Sequence, residues 1–281
     1  MFAMMLGSVA GCKGEPALVQ LVEARRLASD LYVQFTKAAD AANRAVMADT
    51  DEASAGAARE AEQAKQAVQQ DVDRLQAILQ SLGYAAEIQH LDAFTMRFAE
   101  YQILDQEILP LAVENTNLKA QRLSFGTAQE AADSFRTSLE AAAKSATSKD
   151  TDAVAALVAR AVAALLEIQV IQARHIAEAD EAAMSRMEAH ITTLEGAVQS
   201  ALDTLKKRVP SVAGSQLTAA SAAFERFKMV NAEIMRLSRR NSNVRSLALS
   251  MGRKRTVTAQ CDDQLRALDE ALSKHEFSAT R

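Results

Sequence analysis

Apolar positions recur along this chain in steps of three and four, the period of one helix face, with little of the strict alternation a half-buried strand would show. Punctuation divides the first half into four such runs. Pro16 suits a first helical position, and an amphipathic run follows to about Ala48. Asp49-Thr50-Asp51-Glu52 reads as a turn and cap; the second run then extends to Leu82, where Gly83 ends it. The third spans Ala85 to Ser124 and stops at Gly126, and Thr127 with Glu130 forms a capping box that opens the fourth. Polar residues from Ser145 to Thr151 make a linker. In the second half the breaks fall near Glu178 to Asp180, at Pro210 to Gly214 and at Gly252.

The two halves repeat each other. Phe98, Tyr101, Glu107-Ile108, Leu111, Asn115-Thr116-Asn117 and Leu123-Ser124-Phe125-Gly126 recur as Phe224, Phe227, Glu233-Ile234, Leu237, Asn241-Ser242-Asn243 and Leu249-Ser250-Met251-Gly252, always 126 residues on and without a gap. The same offset carries Leu31 onto Leu157 and Val72 onto Val198. A duplication explains this better than shared composition, because the exchanges are like for like. The expected fold is all-α: two tandem antiparallel four-helix bundles built from long helices. Copy 1 covers residues 16–145 and copy 2 residues 150–275, between a signal segment at 1–15 and a tail at 276–281. Short connections favour an up-down-up-down order within each copy.

Heptads through the third helix place Tyr101, Ile108 and Asn115 on one seam position and Leu104, Leu111 and Leu118 on the other. Copy 2 repeats this with Phe227, Ile234 and Asn241. Asn115 and Asn241 therefore face inward, where an amide must be paired to avoid a penalty of about 1–3 kcal/mol. They serve either helix register or a polar contact to a ligand inside the bundle. Pro110 should bend the helix near residue 106, and Arg236 replaces it in copy 2.

Composition agrees with bundles: of 281 residues 49% are hydrophobic and 24% charged, with no Trp, nine Gly and three Pro. A net charge of -4 argues against nucleic acid as the main partner. The two cysteines differ in setting. Cys12 closes an apolar run on Val9-Ala10-Gly11-Cys12, which resembles the lipobox of bacterial lipoproteins and implies cleavage before an acylated Cys12. No Lys or Arg precedes the run, so a frayed apolar N-terminus is the other reading. Cys261 sits in a helical stretch as a packed thiol. Beyond residue 12 no window is expected to span a bilayer, leaving Cys12 as the membrane attachment.

The third-helix pattern Phe98, Tyr101, Glu107-Ile108, Leu111 and Asn115, followed by Leu123-Ser-Phe-Gly126 and repeated in copy 2, resembles the four-helix-bundle sensor domain of bacterial methyl-accepting chemotaxis receptors. The resemblance covers both copies. It implies small-molecule sensing outside the cytoplasmic membrane, with ligands held between helices or at a subunit interface, and subunits that pair as a homodimer. The chain shows no flanking membrane helices, relay module or methylated hairpin, so a membrane signalling partner would have to transmit.

Reactive chemistry is sparse. His90, His175, His190 and His275 lack metal-ligand spacing, and Glu87-Ile-Gln-His90 has Ala213 and Gln216 as its counterparts, which excludes a duplicated di-iron site. No phosphate loop or Ser-His-Asp arrangement occurs. We expect no enzyme, no cofactor and no metal. From Phe224 to Arg255 nine basic residues, Arg239 and Arg240 among them, face Glu225 and Glu233 alone, whereas copy 1 is acidic there, with Glu107 and Glu114. This is either a pair of drifted solvated faces or an anion-attracting surface. The candidate ligand residues are Asn115, Asn241, Glu107, Glu233, Arg239 and Arg240. The expected function is a lipid-anchored sensory or binding protein of the periplasm or outer envelope, recognising a small molecule or protein partner. The alternative is a helical spacer without a ligand.

Overall fold

The computed structural model describes residues 17–146, 150–209 and 211–275. The signal segment with Cys12, Pro16, residues 147–149 of the expected linker, Pro210 and the tail lie outside the described residues. All regular structure among the described residues is helical. Copy 1 supplies α1 (Ala17–Met47), α2 (Asp51–Leu82), α3 (Ala85–Glu114), α4 (Thr116–Leu123) and α5 (Gln129–Ala143). Copy 2 supplies α6 (Thr151–Ala177), α7 (Glu181–Arg208), α8 (Gly214–Arg240), α9 (Ser242–Leu249) and α10 (Arg255–Ser273).

Local chemistry sets most of the ends. Thr50 accepts the Ala53 amide at 3.1 Å and so caps α2. Gly83, at φ 71°, ends it, with the Tyr84 amide returning to the Leu79 carbonyl at 3.1 Å. Asp180 caps α7 through the Ala183 amide.

The third helix departs from its expected course. It continues through Pro110 but breaks at Asn115, which adopts the left-handed conformation at φ 52°, ψ 37°. Asn241 does the same at φ 55°, ψ 35°, although copy 2 has no proline there. Asn tolerates this region better than most residues because its short amide can bond locally. The capping box at Thr127 and Glu130 does not open a helix either. The chain runs from α4 through one π-helical turn, Ser124–Ala128, directly into α5; Ser250–Lys254 is its counterpart before α10.

The two compact units do not coincide with the two copies. Among the described residues unit 1 takes 17–44, Gly56–Gln106 and 251–275, so α1, α2 and most of α3 are completed by α10. Its core contains Leu27, Leu31, Phe35, Phe94, Phe98 and Leu268, all fully buried. Phe35 meets Phe94 and Tyr101 edge-on at 5.6 and 5.4 Å. The Arg25 guanidinium donates to the Leu272 and His275 carbonyls at 3.0 and 2.8 Å, satisfying the open C-terminal end of α10.

Unit 2 takes Ala45–Ala55 and Glu107–Ser250, so α6, α7 and α8 are completed by α5. Phe135 of α5 meets Phe224 of α8 at 5.8 Å, within a core that includes Leu165, Ile168, Leu202 and Phe227. Each unit therefore has three main helices from one copy and the fourth from the other. A heptad stripe is satisfied by any complementary stripe, so periodicity does not choose between these two assemblies.

Hydropathy brings one correction. By length and composition α6 could cross a membrane: its best window has mean hydropathy 2.0, against the expectation that no such window exists. In unit 2 one face of it packs into the core, with 39% of that window buried.

Candidate ligand site

Within unit 2, Asn115 and Asn241 are buried, and their surroundings explain their duplication. A helix N-terminus leaves amides without intrahelical acceptors. At α4 the Thr116 amide donates to Ser242 Oγ at 3.0 Å and the Asn117 amide to Asn243 Oδ1 at 3.1 Å. At α9 the Ser242 amide donates to Thr116 Oγ1 and the Asn243 amide to Asn117 Oδ1, both at 3.1 Å. The two helices cap each other. Asn117 Nδ2 then donates to Asn241 Oδ1 at 2.7 Å, and Asn243 Nδ2 to Asn115 Oδ1 at 2.8 Å. One difference breaks the symmetry: Asn241 Nδ2 reaches the Glu178 carbonyl at 2.7 Å, whereas the buried Asn115 Nδ2 finds no partner.

The remaining sequence candidates are not gathered into a pocket. Glu107 is exposed. Glu233 pairs with Arg236 at 2.6 Å, and Arg240 with Glu114 at 2.8 Å. Arg239 clamps Glu188 through Nε and Nη2 at 2.7 and 2.9 Å, holding that carboxyl below the usual range. Glu188 also meets His175 Nε2 at 3.0 Å, while Nδ1 of this buried ring bonds Ser238 Oγ. Burial lowers the His175 pKa against the pull of Glu188. The basic run is largely neutralised by neighbouring acids: Lys228 lies 2.8 Å from Glu225 and Arg253 2.6 Å from Glu100.

Sequence reading missed the buried polar layers. In unit 1, Lys254 Nζ bonds Asp105 Oδ1 and lies 4.8 Å from the Tyr101 ring centroid. Lys65 Nζ stands 3.5 Å from Asp105 Oδ2 and 2.7 Å from Glu62 at the rim. Tyr101 and Asp105 are 0% exposed, and Lys65 and Lys254 only 5% and 2%. The Tyr101 hydroxyl and Asp105 Oδ2 make no hydrogen bond. Burial lowers the Lys254 pKa although Asp105 opposes it, and burial beside Asp105 pushes the Tyr101 hydroxyl well above the usual phenol range. Nearby, burial pushes the Cys261 thiol up to about 12.

Position 231, the repeat partner of 105, centres a polar layer in unit 2. Ser124 Oγ donates to Gln172 Oε1 at 2.8 Å and Gln172 Nε2 to Asn231 Oδ1 at 2.9 Å. Asn231 Nδ2 donates to Glu195 at 3.2 Å, and burial raises the pKa of that carboxyl.

The two layers differ as sets. Lys65, Tyr101, Asp105 and Lys254 of unit 1 correspond, 126 residues away, to Ile191, Phe227, Asn231 and Ala128 of unit 2. Four polar groups are present together in one unit and replaced together in the other. The surface groove between α1 and α2, about 420 Å³ and lined by Lys37, Asp40, Arg44 and Glu60, shares no residue with the ionic layer. Among the described residues no three His, Cys, Asp or Glu side chains group as metal ligands would. His90 faces Gln264, His190 faces Glu167, and His275 stacks on Tyr84 while bonding Glu87.

No family model matches the chain, and neither a curated protein nor a solved structure matches it significantly.

Proposed function

We propose that this chain is a sensory binding protein of chemoreceptor-like type, anchored outside the cytoplasmic membrane through Cys12, which recognises a small carboxylate or zwitterion in unit 1. A membrane partner would carry the signal onward. The observation that supports this reading is the ionic layer of Lys65, Asp105 and Lys254, buried with Tyr101 inside unit 1. Burying such charges costs several kcal/mol per ion before their mutual attraction is counted, about as much as a well-packed apolar layer would avoid. Unit 2 has such an apolar set at three of the four equivalent positions, so the fold does not require the ions.

The test is a thermal-shift screen against amino acids and small organic acids, because a ligand that prefers the native state raises its melting point. One class should raise it, and Lys254→Met should abolish that rise. A flat response across the screen would instead favour the spacer. That reading draws on a specific observation too: Asn117, Asn241 and Asn243 spend their side-chain amides on joining helices.

A further inference from the structure

α6 carries an apolar face on the outside of its bundle. Ala156, Ala159, Ala163, Leu166, Val170 and Ala173 are all exposed, and they follow one another in alternating steps of three and four. That spacing is a coiled-coil seam, and here it points away from the core. The duplication supplies an internal control. The equivalent positions of α1, 126 residues earlier, are Asp30, Val33, Lys37, Asp40, Arg44 and Met47, an ordinary solvated face with an Arg44–Asp40 ion pair at 2.9 Å. The same place in the repeat is charged in copy 1 and apolar in copy 2.

We infer that this face of α6 pairs antiparallel with the same face of a second copy of the chain. Its residues are mostly alanine, which lets two helices approach closely but gives little purchase on lipid, where interfacial helices carry large apolar side chains and basic flanks. Charge fixes the register. Three charged residues flank the seam on one side: Arg160, Glu167 and Arg174. When two antiparallel α6 helices overlap along their full length, Ala163 faces Leu166 of the second copy and Ala159 faces its Val170. Arg160 then lies beside Glu167 of the second copy, and the two-fold symmetry makes that pair twice. Arg174 falls beside Ala153, where it meets no like charge. Sliding one heptad further would instead set Glu167 against Glu167 and Arg160 against Arg174. Glu167 is also met at 2.9 Å by the exposed His190 of α7.

The experiment is sedimentation equilibrium on the full chain carrying Cys12→Ser, so that acylation plays no part. A dimer is expected, with a dissociation constant at or below about 100 µM. Ala163→Glu should leave it monomeric with unchanged helicity, since the position is exposed. Arg160→Glu and Glu167→Arg should each weaken the dimer about tenfold or more, and the double reversal should restore it. A monomer at all concentrations, or a dimer indifferent to Ala163→Glu, would overturn the proposal. So would a double reversal that fails to restore pairing. Flotation with phospholipid vesicles that is lost in Ala163→Glu, in a chain that does not self-associate, would assign the face to lipid and also overturn it. None of these outcomes depends on whether unit 1 binds a small molecule.

Discussion

Thr116 and Ser242 each donate a backbone amide to the other's hydroxyl oxygen, at 3.0 and 3.1 Å across 126 residues of sequence. Neither α4 nor α9 caps itself: Asn115 and Asn241 make no side-chain cap bond to their own helices. Losing a cap hydroxyl typically costs about 1 kcal/mol. Thr116→Ala and Ser242→Ala should each lose about that much in urea denaturation. Together they should deviate from additivity by at least about 0.5 kcal/mol, because the two hydroxyls share a bond at 3.2 Å.

Asn241 should tolerate Gly better than Ala. Gly reaches φ 55° without strain, so Asn241→Gly loses only the bonds to Asn117 and the Glu178 carbonyl. Asn241→Ala loses the same bonds and adds about 1–2 kcal/mol for a left-handed residue with a Cβ. The ordering Asn, Gly, Ala in chemical denaturation midpoint is the expected result.

The ionic layer yields a prediction from its own repeat. Lys254→Ala alone leaves Asp105 buried beside a single lysine at 3.5 Å, and breaking a buried pair this way costs about 3–5 kcal/mol. Replacing all four residues with their unit 2 counterparts, as Lys65→Ile, Tyr101→Phe, Asp105→Asn and Lys254→Ala, removes every charge at once. The quadruple variant should therefore be more stable than Lys254→Ala, despite three further substitutions.

Helix ends were legible where one local group decides them, as at Thr50 and Gly83. The inward position of Asn115 and Asn241 also followed from the heptad. Their left-handed backbone did not, since the apolar period continues past residue 115 and carries no sign of a break. Nor could the period reveal that α10 completes α1–α3: α5 and α10 offer similar stripes, and either would serve. The information was present in a different form. Lys254 is charged where Ala128 is not, and Lys65, Tyr101 and Asp105 are polar where Ile191, Phe227 and Asn231 are less so or not at all. That joint change makes sense only if Lys254 packs with copy 1. The outward face of α6 went unseen because a run of alanines reads equally as core or surface.

Cys261 is fully buried in unit 1, and its thiol is pushed up to about 12, so almost no thiolate exists at neutral pH. In a Cys12→Ser chain it is the single thiol. Labelling with a disulfide reagent should be slow in the native state and complete in denaturant. The native rate should follow global stability, rising in Lys254→Ala. Fast labelling of the native protein would mean that α10 leaves unit 1 readily.

His175 should make unit 2 sensitive to mild acid. Burial holds its folded pKa below the ordinary 6.5, while Glu188, within bonding distance, and Glu178 oppose the shift and Arg239 reinforces it. Below about pH 6.5 the unfolded chain therefore binds a proton that the native state refuses, and stability falls as pH drops through that window toward the folded pKa. The Glu188 carboxyl, itself lowered, titrates further down and does not mask the effect. His175→Gln keeps a side chain able to bond Ser238 but removes the titration. Urea midpoints at pH 7.5 and 5.5 should differ clearly in the parent chain and less in His175→Gln. An equal difference in both would place the acid sensitivity elsewhere.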